Sequence, residues 1–137
     1  MVIGRLPPEA EAEIRAVAAA RQAPVHSVRE VFGEALDAYP HVGLAGDYQR
    51  WNAATAVLAA RLFAGVRSLD EAQITRGLEQ VNWPGRWQRV QIGGRTLVLD
   101  ASHNPEGAAV LDRNLAQLVA ETGRRPLIVT GGLGEFR

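Results

Sequence analysis

Cysteine and lysine are both absent from this sequence of 137 residues. Without cysteine the chain has no disulfide, no thiolate metal site and no cysteine nucleophile, which fits a reducing compartment. Without lysine it contains no phosphate-binding loop of the form Gly-x-x-x-x-Gly-Lys-Ser/Thr. The chain therefore carries no such loop of its own for holding the phosphates of a nucleotide.

Long apolar runs and an excess of one charge are also missing. No run approaches the roughly 20 apolar residues that cross a bilayer, and the first residues lack the apolar core of a signal peptide. Fifteen basic residues balance fifteen acidic ones, so charge gives no reason to expect a nucleic acid or a membrane as partner. With 47% apolar residues, the sequence predicts a globular protein, soluble and cytoplasmic.

Apolar periodicity and turn-forming residues predict an α/β protein. The predicted strands cover 2–4, 24–28, 87–92, 95–99 and 126–130, and the predicted helices cover 8–21, 47–63, 69–80 and 105–121. Asp47 is predicted to cap one helix and Ser68 to open a capping box for the next. The segment 32–44 is predicted to be a loop with one strand at most. The last strand, helix and strand predict a βαβ unit in a parallel sheet, with 96–99 covered on both faces.

Residues 100–105, Asp-Ala-Ser-His-Asn-Pro, stand between a predicted strand and a predicted helix. Ligands of open α/β sheets bind at the carboxyl ends of strands, where Asp100 would lie. Asn104 as N-cap and Pro105 as first helical residue would bring free N–H groups beside His103. Such a helix end favours phosphate, and the Asp100 carboxylate could accept hydrogen bonds from a ribose. The alternative from the pattern alone is that Asp100 and Asn104 cap a turn and His103 is an exposed loop residue.

Three short segments carry a family resemblance. Residues 46–54, Gly-Asp-Tyr-Gln-Arg-Trp-Asn-Ala-Ala, are similar to the signature Gly-x-His-Gln-x-x-Asn-Ala-Ala. Residues 83–86 are Trp-Pro-Gly-Arg, and residues 100–105 are similar to Asp-x-Ala-His-Asn-Pro. Together these segments resemble the folylpolyglutamate synthase/dihydrofolate synthase family of the Mur-ligase superfamily. Tyr48 and Ser102 depart from its pattern, at positions where the family usually has His and Ala.

The resemblance implies an ATP-binding site. Asn52 would contact the adenine and Arg86 the nucleotide phosphates, while Asp100 would hold the ribose and His103 would lie beside the phosphates. From the residues alone, Asn52 could instead bond to the helix backbone, and Arg86 could be an ordinary surface arginine. The resemblance assigns no catalytic residue and no metal ligand to this chain, because the family's modified lysine, which helps to bind a second metal, is missing.

The resemblance also implies a division into domains. Residues 1–82 would be the C-terminal part of a Mur-ligase-type central ATPase domain, and residues 83–137 the start of a Rossmann-like C-terminal domain that serves glutamate ligation. The chain begins beside one predicted strand and stops just after another. We therefore expect a C-terminal-side fragment of a longer polypeptide, whose open strand edges allow self-association, which light scattering would detect.

The reaction that the resemblance implies is an ATP-dependent ligation. ATP, with Mg²⁺, would phosphorylate a carboxylate of dihydropteroate or of folylpolyglutamate, and the amine of L-glutamate would attack the acyl phosphate to form an amide. Since the chain has no phosphate loop, we expect the fragment by itself to be inactive. Two alternatives stay open: another Mur-type amide ligase of cell-wall synthesis, and a non-catalytic module that binds a nucleotide or a protein.

Overall fold

Two short parallel strands joined by a helix begin the chain. In the computed structural model, which describes residues 1–65 and 68–131, β1 (Val2–Ile3) pairs in parallel with β2 (His26–Ser27). The crossover between them is α1 (Pro8–Ala20). Pro8 suits the first helical position, because the N–H that proline lacks would have no partner there. The protein therefore has a parallel βαβ unit, but it lies at residues 2–27 and not where the sequence predicted it.

The segment after β1 and α1 is more helical than predicted. The strand predicted over 24–28 is limited to β2, because Val28 already begins a short helix, α2 (Val28–Phe32). In the stretch 32–44 the structure has a single turn of 3₁₀ helix at Leu36–Ala38 and no strand. The stretch is therefore a loop, as predicted, and the strand that the prediction allowed does not form.

Two longer helices follow, α3 (Asp47–Phe63) and α4 (Glu71–Gln80). Their bounds match the prediction closely, but their caps do not. Gly46, with φ 100°, is the N-cap of α3, and Asp47 is its first residue. At α4 the capping box lies two residues beyond Ser68: Asp70 Oδ1 accepts from the backbone N–H of Gln73 at 2.7 Å, and Gln73 Oε1 accepts from the N–H of Asp70 at 2.9 Å.

The observed capping box makes a prediction for stability. Asp70→Ala removes the acceptor for a free N–H at the start of α4, so we expect a loss of about 1 kcal/mol in the free energy of unfolding. Ser68→Ala is the matched control and should leave the urea midpoint unchanged. Equal losses for the two variants would contradict the assignment of Asp70 as the N-cap.

The core of the first part of the chain lies on one face of α3. Its buried cluster consists of Val28, Tyr39, Ala54 and Leu58, with Val2, Phe32 and Trp51 packed against it. The Tyr39 hydroxyl donates to the backbone oxygen of Gly33 at 2.7 Å. An apolar face that packs on strands and loops, opposite a more exposed one, gives α3 a fixed orientation.

A hairpin completes this part of the chain. β3 (Gln88–Ile92) and β4 (Arg95–Leu99) pair antiparallel, and Gly93 and Gly94 make the predicted turn with φ of 57° and 74°. Leu97 and Leu99 remain 42% and 44% exposed. The prediction that β4 is covered on both faces was therefore wrong, because among the described residues its side chains stay mostly exposed.

The chain divides into two compact units, Met1–Asp100 and Ala101–Arg137. In the second unit α5 (Pro105–Thr122) forms as predicted, with Asn104 Oδ1 accepting from Gly107 N at 2.7 Å. Residues 126–130 form no strand, and Leu127 and Val129 are 93% and 88% exposed. That predicted strand was wrong because no strand in the described part of the chain pairs with it. No helix among the described residues is long and apolar enough to cross a membrane.

Candidate functional site

A mostly apolar cavity of about 550 Å³ lies in the first unit, between α3, α4 and the segment that leads into the hairpin. Aliphatic side chains form most of its wall: Val42, Leu44, Val57, Leu69, Ile74, Leu78 and Val81. The polar groups at the cavity are Gln49, Asn52, Gln73 and Arg86, and the indole of Trp83 lies beside them. A few polar groups in an apolar wall are typical of sites that bind small molecules.

Gly43 allows the loop before α3 to approach the end of α4 closely, at the wall of this cavity. A Cβ on Gly43 would lie 2.6 Å from the backbone oxygen of Glu79, and the N–H of Gly43 donates to Leu78 O at 2.9 Å. No larger residue fits this approach without a backbone shift. Gly43 therefore fixes the loop that precedes α3 against the end of α4, with the cavity between the two helices.

Asn52 is an exposed residue of α3, and its side-chain amide is hydrogen-bonded to a neighbour on the same helix. Asn52 Nδ2 donates to Gln49 Oε1 at 3.1 Å. Gln49 is 5% exposed, although it is polar. The Gln49 side chain also lies close enough to Tyr48 to lower the pKa of its phenol. Asn52 is thus bonded to a side chain and not, as the alternative reading had it, to the helix backbone.

Tyr48 connects this pair to the charged residues that the sequence singled out. Burial is the main cause that raises the pKa of its phenol; the Asp100 charge raises it further, while Gln49 and the Arg86 charge lower it. Tyr48 therefore lies within electrostatic range of both Asp100 and Arg86. The phenol is neutral at physiological pH, which leaves its oxygen as an uncharged hydrogen-bonding group.

Asp100 directly follows β4 and is held by the residue that precedes β3. Its Oδ2 accepts from the backbone N–H of Trp87 at 2.9 Å. Trp87 is 7% exposed and has φ 48°, an unusual backbone conformation for a bulky residue. The Asp100 carboxylate thus holds the backbone of the residue that follows Arg86. Three of the four predicted site residues, Asn52, Arg86 and Asp100, belong to the first compact unit.

His103, the fourth predicted residue, belongs to the second unit. Its ring Nδ1 lies 2.9 Å from the backbone oxygen of Ala101. Because a carbonyl oxygen only accepts, Nδ1 carries the proton in this contact, and Nε2 is the nitrogen that faces away from it. Asn104 is the helix cap that the sequence predicted. The ring is exposed and stands just before the N-terminus of α5.

The helices and small sheets define an α/β protein. Its cavity, with a few polar groups in an apolar wall, is of the kind that suits a small molecule. No family model matches the chain. Curated relatives do: a probable bifunctional folylpolyglutamate synthase/dihydropteroate synthase of Halobacterium salinarum is 34% identical over 87 residues, which is 64% of this chain and 10% of that protein. The folylpolyglutamate synthase of Lacticaseibacillus casei is 33% identical over 94 residues, which is 67% of this chain and 21% of that protein.

The solved structures that match this chain are folylpolyglutamate synthases as well. The match to a structure described as an FPGS-AMPPCP-folate complex has a TM-score of 0.69 at 26% identity and covers 85% of this chain and 33% of that one. The match to folylpolyglutamate synthetase from Lactobacillus casei has a TM-score of 0.66 at 26% identity and covers 85% and 35%. The resemblance that the three motifs indicate is therefore confirmed, and the chain corresponds to a part of a folylpolyglutamate synthase/dihydrofolate synthase. It spans about a third of the solved structures that it matches.

Proposed function

We propose that this chain supplies part of the ATP site of an ATP-dependent ligase that adds L-glutamate to dihydropteroate or folylpolyglutamate. The observation that supports this most is that Asn52 and Arg86 line one cavity, while Arg86 and Asp100 both act electrostatically on Tyr48, in a chain whose relatives are folylpolyglutamate synthases. The solved relative with AMPPCP and folate binds an ATP analogue and a folate. A cytoplasmic location, where ATP and folates are available, belongs to the same proposal.

The cavity suits the base of the nucleotide. A purine is flat and mostly apolar with polar edges, and here an apolar wall ends at the amide of Asn52. Arg86 lines the same cavity and can reach phosphate oxygens with its planar fork of donors. Asp100, held by the N–H of Trp87, would receive the ribose hydroxyls. His103 would meet the phosphates from the N-terminus of α5, where N–H groups favour anions.

A metal site made by several side chains is not found in the part of the chain that the structure describes. Among the residues at 1–65 and 68–131, no three His, Asp or Glu side chains form a group that could bind a metal. Magnesium on ATP is usually held by one or two carboxylates together with the phosphates. We therefore derive no step through the metal, and the role of this chain is to bind and orient the nucleotide.

The alternatives are weighed by the same observations. Another Mur-type amide ligase would share the α/β fold, but the curated relatives that match are folylpolyglutamate or dihydrofolate synthases. A non-catalytic nucleotide-binding module would share the cavity. The division into a domain of residues 1–82 and a domain of residues 83–137, the position of the chain on the C-terminal side of the ligase, and self-association through open strand edges all remain predictions.

A binding and turnover experiment tests the proposal. ATP should shift the side-chain amide signals of Asn52 and the backbone signals near Arg86 in the NMR spectrum of the ¹⁵N-labelled chain, with a dissociation constant of roughly millimolar order, worth about 4 kcal/mol. Tripolyphosphate is the control for a purely ionic effect and should leave the Asn52 amide signals in place. The chain alone should show no folate-dependent incorporation of glutamate, because it lacks a phosphate loop.

Two results would count against the proposal. Absence of any shift at Asn52 with saturating ATP would remove the base contact. Steady ligation of glutamate by the chain alone would show that it contains a complete active site.

A further inference from the structure

Trp83 is a large aromatic side chain that the fold leaves uncovered. The residue is 61% exposed, and the buried cluster on α3 does not include it. The aromatic contacts in the described part of the chain also leave it out, since Phe32 stacks on Tyr39 and the guanidinium of Arg5 lies over a different tryptophan, Trp51. Exposing so large an apolar ring to water is unfavourable, so a ligand that covers it gains free energy from the contact.

The exposed indole lies at the cavity between α3 and α4. Trp83 lines the cavity together with Asn52 and Arg86, in a wall that is otherwise mostly aliphatic. An indole offers a flat π face, and every nucleobase can stack on such a face. The three side chains therefore supply three different contacts: a face for a ring, an amide for a polar edge and a positive charge for an anion.

The backbone around Trp83 is fixed before any ligand arrives. Pro84 has a fixed φ and keeps the preceding Trp83 out of helical conformation. Gly85 turns the chain with φ 74°, and its N–H donates to Gln88 Oε1 at 3.0 Å, which ties the turn to β3. A tryptophan on a fixed turn has few torsions left to order, so a contact with its ring costs little conformational entropy.

We propose that Trp83 binds the base of the nucleotide by stacking its indole on one face of the purine, while Asn52 meets the edge of the ring and Arg86 the phosphates. This inference rests on the proposed function, because it assumes that the cavity holds a nucleotide. It adds a residue that recognises the base by its flat shape. A tryptophan that only shielded the end of α4 would not distinguish a ligand with a base from one without it.

The test compares adenosine 5′-monophosphate with ribose 5-phosphate, which lacks the base, in NMR titrations of the ¹⁵N-labelled full chain. The chain has three tryptophans, and the indole N–H signal of Trp83 is the one that disappears in Trp83→Phe. AMP should shift this signal, and ribose 5-phosphate should leave it in place. In Trp83→Ala the dissociation constant for AMP should rise about fivefold or more, since removal of one base–aromatic stack typically costs that much.

Two further variants separate stacking from packing. Trp83→Phe keeps an aromatic face and should bind AMP within about threefold of the wild-type affinity. Phe63→Ala is the matched control, because Phe63 is also an aromatic residue of high exposure, 54%, but does not line the cavity; its loss should leave AMP binding unchanged. Circular dichroism checks that each variant is folded, and the wild-type indole shift keeps the test decisive if Trp83→Ala fails to fold.

The failure of this inference is distinguishable from the failure of the proposed function. If AMP shifts the Asn52 amide but not the Trp83 indole, or if Trp83→Ala binds AMP as the wild type does, the inference is overturned and the proposed function stands. Equal weakening of AMP and of ribose 5-phosphate in Trp83→Ala would also overturn it, because Trp83 would then shape the site without contacting the base. If AMP shifts neither Asn52 nor the signals near Arg86, both fail.

Discussion

Replacing Tyr39 by alanine should lower the free energy of unfolding by about 3–5 kcal/mol, the cost of removing a large aromatic side chain from a well-packed core. Tyr39 is 2% exposed, belongs to the buried cluster with Val28, Ala54 and Leu58, and stacks on Phe32 with ring centroids 5.6 Å apart. Its loss leaves a cavity under α3. Since domains of this size are marginally stable, much of the chain should unfold at ambient temperature.

Tyr39→Phe is the matched control for this expectation. It keeps the ring and removes only the hydroxyl that donates to Gly33 O at 2.7 Å, so it should cost about 1 kcal/mol. Urea unfolding followed by circular dichroism and by tryptophan fluorescence measures both variants. A loss of less than about 1 kcal/mol for Tyr39→Ala would show that the site collapses without a cavity and that the cluster is not the core.

Tyr39 also shows what the sequence could not predict. The segment 32–44 has no apolar periodicity, so its residues were assigned to a loop, yet one of them provides the largest fully buried side chain. Helices α1, α3, α4 and α5 and the hairpin were predicted within one or two residues, because their apolar spacing, Gly-Gly turn and proline positions are local signals. Burial of a loop tyrosine depends on which distant residues meet, and no local pattern reports that.

The predictions of the helix N-caps and of the strand at residues 126–130 were wrong for related reasons. Asp47, Ser68 and Asp70 are all acceptable caps by residue type, and only the actual start of each helix decides among them. Residues 126–130 have the composition of a buried strand, but a strand needs a neighbour to satisfy its backbone groups, and within the described residues it has none. Strand propensity shows what a segment is suited to form, while pairing shows what it does form.

The assignment of the four ATP-site residues stays a prediction, and the structure shows where three of them lie. Family motifs gave Asn52, Arg86 and Asp100, and the structure groups these three in one unit. Gln49 belongs to the first motif, but its burial and its hydrogen bond to Asn52 depend on the fold and cannot be predicted from the local sequence.

Arg86→Ala should cause the largest loss of kcat/KM for ATP. This effect can be measured only in a protein that also contains a phosphate-binding loop. We suggest a chimera in which this chain replaces the matching segment of the Lacticaseibacillus casei folylpolyglutamate synthase, to which it is 33% identical over 94 residues. Arg86 lines the cavity together with Asn52, and no other residue in this wall carries a positive charge. If Arg86 binds the phosphates as proposed, removing this donor should lower kcat/KM for ATP about 100-fold.

Arg86→Lys and Arg89→Ala are the controls for this experiment. Lysine keeps the charge without the planar fork, so its kcat/KM should lie between wild type and Arg86→Ala if paired hydrogen bonds to phosphate oxygens matter. Arg89 is an exposed residue of β3 outside the cavity wall, and its loss should leave kcat/KM near the wild-type value. If all three variants had wild-type kcat/KM with a correctly folded chimera, Arg86 would be a surface arginine, and the phosphates would have to be bound by His103, the N-terminus of α5 and residues outside this chain.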